Sequence, residues 1–164
     1  MPEMPRTAWL SEVYQQFRRE MFLTAWTVLR RADLAEDAVH SAFVKMVSLG
    51  APPIEPKLYV FRCVRNAAID LAKVRSRRRE EPLSPEFDQP SSAADSFGTE
   101  EIRFVAEALE RLDESSREVI ELHLHAALTF REIAHMLNEP LPTIAARYRR
   151  ALDNLGKEVK VRYE

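Results

Sequence analysis

Apolar side chains recur along this chain at the three-and-four spacing of an α-helix, segment after segment. Residues 8–31 carry such a stripe in Leu10, Val13, Tyr14, Phe17, Met21, Ala25 and Val28, with Thr7 placed to act as an N-cap. Asp33-Leu34-Ala35-Glu36 has the spacing of a capping box and predicts a second helix through about Ser48, with Gly50 as its stop. Ala51-Pro52-Pro53-Ile54-Glu55-Pro56 predicts a stiff loop. A third helix is predicted from about Lys57 to Arg79, with Phe61, Val64, Ala68 and Leu71 inward. The pattern then fails. Residues 80–98 hold three prolines, four serines and several carboxylates with little periodicity, the composition of a flexible linker. From Thr99 the helical spacing returns. Ile102, Val105, Ala106, Leu109 and Leu112 form one stripe, behind Thr99, Glu100 and Glu101 at a helix start. Ser115-Ser116-Arg117-Glu118 predicts a capped helix to about Ala126, and Thr129-Phe130-Arg131-Glu132 a short capped helix to about Leu137. Asn138 to Leu141 make a turn. Pro142 opens a last helix with Ile144, Tyr148, Leu152 and Leu155 inward. The expectation is an all-α protein of two small helical lobes, a three-helix bundle at 1–79 and a four-helix domain with a helix-turn-helix at 99–164. An acidic, flexible linker at 80–98 joins them.

Composition agrees with this picture. The 164 residues are 46% hydrophobic and 30% charged, the balance of a folding sequence, and only 3 are glycine, which favours helices over a sheet with many tight turns. The single cysteine, Cys63, allows no intrachain disulfide and no cysteine cluster for zinc. It is expected as a small core or boundary residue. No apolar run approaches the ~20 residues that span a bilayer, and Met1 to Arg6 show no signal pattern. The simplest expectation is a cytoplasmic protein without membrane insertion.

Charge changes the functional picture. The net charge of −2 taken alone argues against nucleic acid. Its distribution argues the opposite, because residues 57–79 carry +7, residues 80–101 carry −7 and residues 141–164 carry +3. On a helical wheel Tyr59, Arg62, Arg65, Asn66, Lys73 and Arg77 share one face of the third helix, opposite its apolar stripe. A row of cations follows a phosphate backbone, and an aromatic with an amide among them suits unpaired bases. A solvated basic helix face is the plainer alternative. Residues 129–155 have the helix-turn-helix pattern, whose second helix lies in the major groove. Its outward candidates are Pro142, Thr143, Ala146, Arg147 and Arg150. An arginine such as Arg147 reads guanine with two hydrogen bonds, whereas Ala146 can touch only a thymine methyl. A packing αα-hairpin is the alternative there. On the second helix Glu36, Asp37, His40 and Ser41 suit either capping electrostatics or a protein-docking face.

The sequence holds little that suggests catalysis. Asp37…His40 and Glu132…His135 have the spacing of di-metal ligand pairs, but they lie in different lobes and Glu132 already belongs to a capping box. Glu121, His123 and His125 do not converge, since histidines two apart on a helix point to different sides. No nucleophile set, phosphate loop or paired catalytic carboxylate is present. The expectation is no cofactor, no metal and no reaction of its own. A helix-turn-helix regulator using only 99–164 and a di-metal helical protein stay open as alternatives.

With these segments in order, the chain resembles a bacterial extracytoplasmic-function sigma factor of the sigma-70 family, which has only regions two and four. Asp33 to Phe43 are similar to the family's polymerase-docking helix. Tyr59 to Asp70 are similar to its promoter-melting helix, followed by the arginines Arg75, Arg77, Arg78 and Arg79. Leu112 to Glu118, Glu132-Ile133-Ala134 and Pro142-Thr143-Ile144 to Arg147 are similar to its terminal helix-turn-helix. The resemblance implies an initiation subunit that docks on core RNA polymerase through Glu36, Asp37, His40 and Ser41. It implies capture of unpaired minus-ten bases by Arg62, Arg65, Asn66 and loop 50–56, and reading of the minus-thirty-five duplex by Thr143, Ala146, Arg147 and Arg150. An anti-sigma partner is also implied. The chain departs from the family pattern in places. His40 and Ser41 replace glutamine and an acid, Tyr59 replaces a tryptophan, Asn138, Pro140 and Pro142 replace glycine, serine and glycine, and Ala145 and Ala146 replace polar residues. The family's linker threads the polymerase RNA path, so the carboxylates of 80–101 are expected either to stand in for RNA phosphates or to screen Arg75 to Arg79 in the free protein.

Overall fold

The computed structural model describes residues 7–78 and 99–164, and the chain divides into two compact units, Met1–Asp88 and Gln89–Glu164. The predicted linker at 80–98 and Arg79 lie outside the described residues, as do the side chains of Thr99, Glu101 and Ile102. Among the described residues there are seven helices and no strand.

The first unit is a bundle of α1 (Ala8–Leu29), α2 (Ala32–Val47) and α3 (Pro56–Arg77), each packed on the other two. Its centre is Met21 and Ala25 of α1, Ala35, Ala38, Ala42 and Met46 of α2, and Val60, Phe61, Val64 and Ala68 of α3, all fully buried. Small alanines on α2 allow close approach of neighbouring helix backbones, and Phe61 is the largest of the fully buried side chains. Leu71, expected inward, is only half-buried near the end of α3.

Several local expectations are corrected. Helix α1 is interrupted at Phe17 (φ −121°, ψ 16°), where the ring lies edge-on to Phe61 at 6.0 Å and beneath the Lys57 ammonium at 5.0 Å. Tyr14 is exposed and packs its ring edge-on against Phe43 at 5.4 Å. Thr7 occupies the N-cap position of α1, but its side chain makes no capping hydrogen bond. The box at 33–36 does not form. The helix starts two residues earlier, with Arg31 at the N-cap, and Asp33 instead accepts two hydrogen bonds from the Arg31 guanidinium, at 3.1 and 2.7 Å. That hydrogen-bonded pair holds the Asp33 carboxyl below its ordinary value. A charged two-bond partner outcompetes the neutral amide of a cap.

The second unit is built on α7 (Leu141–Tyr163), against which α4 (Thr99–Glu110), α5 (Glu114–Leu124) and α6 (Phe130–Leu137) all pack. Leu112, Ile120 and Ala151 are buried together, with Leu109, Tyr148 and Leu155 against them. Ala151 takes the inward place expected for Leu152, which is 45% exposed, because the stripe on α7 runs 144, 148, 151, 155. On α4, Val105 likewise faces outward at 52% and Ala108 is buried instead.

Helix α5 is capped by Asp113 rather than by Ser115. Its Oδ2 accepts the Ser116 N–H at 3.0 Å and the Ser115 hydroxyl at 2.7 Å. These bonds, chiefly that from Ser115, pull the Asp113 carboxyl down to about 2, with Arg150 adding to the effect. Because the folded state releases this proton more readily than the unfolded chain, the cap contributes stability above the ordinary value of 3.8 and loses it as pH falls through about 2. Thermal melts of Asp113→Asn are therefore expected to lose less stability than wild type between these pH values, while matching it near neutrality, where asparagine caps as well as aspartate.

The box at 129–132 forms as read. Thr129 Oγ1 accepts the Glu132 N–H at 3.1 Å and Glu132 Oε2 accepts the Thr129 N–H at 3.4 Å. Thr129→Ala is expected to cost about 1 kcal/mol in chemical denaturation of this unit.

Candidate nucleic-acid interface

Three surfaces carry the residues singled out by sequence. On α3, Asn66, Lys73 and Arg77 are exposed, and Tyr59, Arg62 and Arg65 are half-buried beside them. Asp70, the one acid in this block, is exposed on the same face. Tyr59 stands one turn before Cys63 on the helix. The charge a Cys63 thiolate would carry raises the Tyr59 hydroxyl above its ordinary value, while burial pushes the Cys63 thiol up. Both groups stay neutral at physiological pH, so Tyr59 offers an uncharged ring suited to stacking. In the loop before α3, Ile54 is fully exposed and Pro53 is partly buried, and Pro56 opens the helix. An exposed isoleucine on a proline-stiffened loop is a pre-ordered apolar contact.

On α2, Glu36, Asp37 and His40 are exposed and Ser41 is half-buried, so the helix does present these residues on one side. The same side continues into Val44 and Val47, 58% and 57% exposed, which the sequence reading did not include. An acidic start that runs into an apolar end suits a protein partner better than a polyanion.

The third surface is the α6–α7 corner. Asn138 takes the left-handed conformation (φ 54°) that glycine usually supplies, and its N–H meets the carbonyls of Ala134 and His135. Asparagine tolerates this conformation better than other side chains do. The Glu139 N–H then bonds the Ala134 carbonyl at 3.0 Å, and Pro140 precedes α7. With Pro140 at the N-cap position, α7 starts without a side-chain cap. The angle between the helices is fixed from within. His123 holds the Leu128 carbonyl at 2.8 Å, and its ring packs on Phe130 at 4.6 Å and Tyr148 at 5.0 Å, with those two rings 4.8 Å apart. One aromatic from each of α5, α6 and α7 thus meets at the base of the corner.

Thr143, Ala146, Arg147 and Arg150 fall within one third of the α7 circumference. Ala146 and Arg150 are exposed and Thr143 is half-buried. Arg147 is not a free outward cation: its Nη2 donates to Glu139 Oε1 at 3.1 Å, and its side chain is 22% exposed. Glu139, and the exposed Arg149 beside the face, were missed by the sequence reading.

Asp37 and His40 belong to the first unit, Glu132 and His135 to the second, and no cluster of three or more metal-ligating side chains occurs among the described residues. Among the described residues no helix is long and apolar enough to cross a membrane.

Residues 108–157 match the family profile "Sigma-70, region 4". A search of curated proteins gives no match. Among solved structures, the sigma factor RpoE, in a co-crystal with the anti-sigma factor NepR from Bartonella quintana, matches with a TM-score of 0.70 at 20% identity, covering 93% of this chain and 97% of that chain. The matched profile runs from the end of α4 into α7 and includes the whole α6–α7 corner. Residues 108–157 thus match a sigma-70 region 4, and the fold of the chain is similar to that of the sigma factor RpoE.

Proposed function

We propose that the chain is a dissociable initiation subunit that binds core RNA polymerase, directs it to promoters, and is held in check by an anti-sigma partner. The observation that carries this reading is the pairing of two different DNA-suited surfaces in one chain. The α6–α7 corner, inside the matched region 4, is a duplex reader, while α3 is a basic helix bearing an aromatic and an amide. A regulator that reads duplex DNA alone has no need of the second surface.

In this reading residues 1–79 are region two, 80–98 a linker and 99–164 region four. Glu36, Asp37, His40 and Ser41, extended by Val44 and Val47, dock on the polymerase. Tyr59, Arg62, Arg65, Asn66, Lys73 and Arg77 hold the opened minus-ten strand, with Ile54 at its edge. Opening a duplex costs base stacking, and a site that binds splayed bases offsets that cost. Thr143, Ala146, Arg147 and Arg150 read the upstream duplex. The subunit performs no chemistry, needs no cofactor and works in the cytoplasm. That the matched RpoE structure holds an anti-sigma factor supports the regulatory part of the reading.

The test is association. Purified full-length protein mixed with bacterial core polymerase is expected to co-elute as a stoichiometric complex in size-exclusion chromatography. A chain that binds duplex DNA well by itself yet never joins core is a stand-alone regulator, and the proposal fails.

A further inference from the structure

Glu139 is the one acidic residue in the turn between α6 and α7, and its backbone is fixed on both sides. Asn138 before it is left-handed, its own N–H is bonded to Ala134, and Pro140 follows. Its carboxylate therefore has little freedom beyond its own rotamers, and it sits on Arg147 at 3.1 Å, two turns along α7. A guanidinium has two edges able to donate a pair of parallel hydrogen bonds, and both use Nη2. Because Nη2 carries two hydrogens, a single bond to Glu139 removes one edge and leaves the other whole. Arg147 is left with one direction in which it can grip a base. The carboxylate also opposes phosphate at the same place, so Arg147 is poorly used as a general backbone contact.

We propose that Glu139 is a specificity-determining residue. It orients Arg147 toward one base pair of the upstream duplex and suppresses sequence-independent binding by the same arginine. This rests on the reading of α7 as the duplex-reading helix. Its chemistry is that of a positioning residue, since Glu139 acts through Arg147 and touches no base. The pair lies on a partly exposed rim, where an ion pair adds little to stability, so its loss is expected to alter recognition rather than folding.

The experiment uses full-length protein bound to core polymerase, with two probes. One is a duplex library randomised upstream of a fixed start region, and the other a single duplex of unrelated sequence. Four proteins are compared with wild type: Glu139→Gln, Glu139→Ala, Arg147→Ala, and Glu139→Gln combined with Arg147→Ala. Glu139→Gln keeps the shape and removes the charge, and Glu139→Ala removes both. Either change is expected to raise affinity for the unrelated duplex about threefold to tenfold, steepen its salt dependence by about one phosphate contact, and relax selection at one base pair by about tenfold. In the Arg147→Ala background, Glu139→Gln is expected to do nothing. If it raises affinity equally in that background, the effect is general charge repulsion and the proposal is overturned. Unchanged base selection in both Glu139 variants also overturns it. If Arg147→Ala itself leaves the selected upstream sequence intact, the reading of α7 fails, and the role of Glu139 with it.

Discussion

Reversing Arg147 and Arg150 to glutamate is expected to weaken upstream-element use by about a hundredfold or more while leaving affinity for core polymerase unchanged. A two-bond arginine–base contact is worth about 1–3 kcal/mol of discrimination, and reversal adds repulsion from phosphate to the loss of two such groups. Both arginines lie on the face of α7 that also bears Thr143 and Ala146, and Arg150 is exposed. The substitutions place new carboxylates near Glu139 and near Asp113, which Arg150 helps to ionise. Neutral Arg147→Gln and Arg150→Gln variants, with a thermal melt of each protein, separate lost reading from lost folding. Equal loss of upstream-element use and core binding in the neutral pair would show that the second unit, not the first, carries the docking face.

The second large effect is structural. Phe61→Ala is expected to destabilise the α1–α3 bundle by about 3–5 kcal/mol, because a fully buried aromatic leaves a cavity its neighbours cannot fill. A unit of this size has little stability in reserve. Urea denaturation should show the bundle largely unfolded at room temperature, and core binding should fall with it. Phe61→Leu, which keeps most of the volume, is expected to retain both. A Phe61→Ala protein with wild-type unfolding would mean that the ring is not the centre of the bundle. Tyr59, Arg62 and Asn66 share α3 with Phe61, so their presentation depends on that packing.

Helix type and order were readable because periodic apolar spacing is a property of each segment alone. The Thr129–Glu132 box was readable for the same reason, since both partners lie within one turn. What the sequence misled on depended on competitors. Asp33 had the spacing of a cap, but Arg31 gave its carboxylate a stronger partner. Ser115 had the chemistry of a cap, yet Asp113 lay two residues earlier and captured both Ser115 and Ser116. Leu152 and Val105 suited a wheel drawn for one helix in isolation, but contact with neighbouring helices selected the smaller Ala151 and Ala108.

The surfaces divide in the same way. The blocks of charge on α3 and α7 are visible in one dimension, as are Glu36, Asp37 and His40. The Glu139–Arg147 pair is not, because Glu139 stands in the turn before α7, where no helical periodicity relates it to a residue eight positions on. A signal did exist: a lone acid beside a proline, facing a helix whose first charged residue is an arginine. Val44 and Val47 were overlooked because they follow the polar residues of α2 and read as helix filler until their exposure is known.

In vitro transcription is the most direct test of the central claim. Core polymerase is supplied with this protein and a template library whose upstream region is randomised. The account predicts transcripts with a defined start that depend on the protein, and an enriched upstream sequence that disappears with Arg147→Gln and Arg150→Gln. Transcripts that core makes equally well without the protein, or a protein that only represses them, would contradict it.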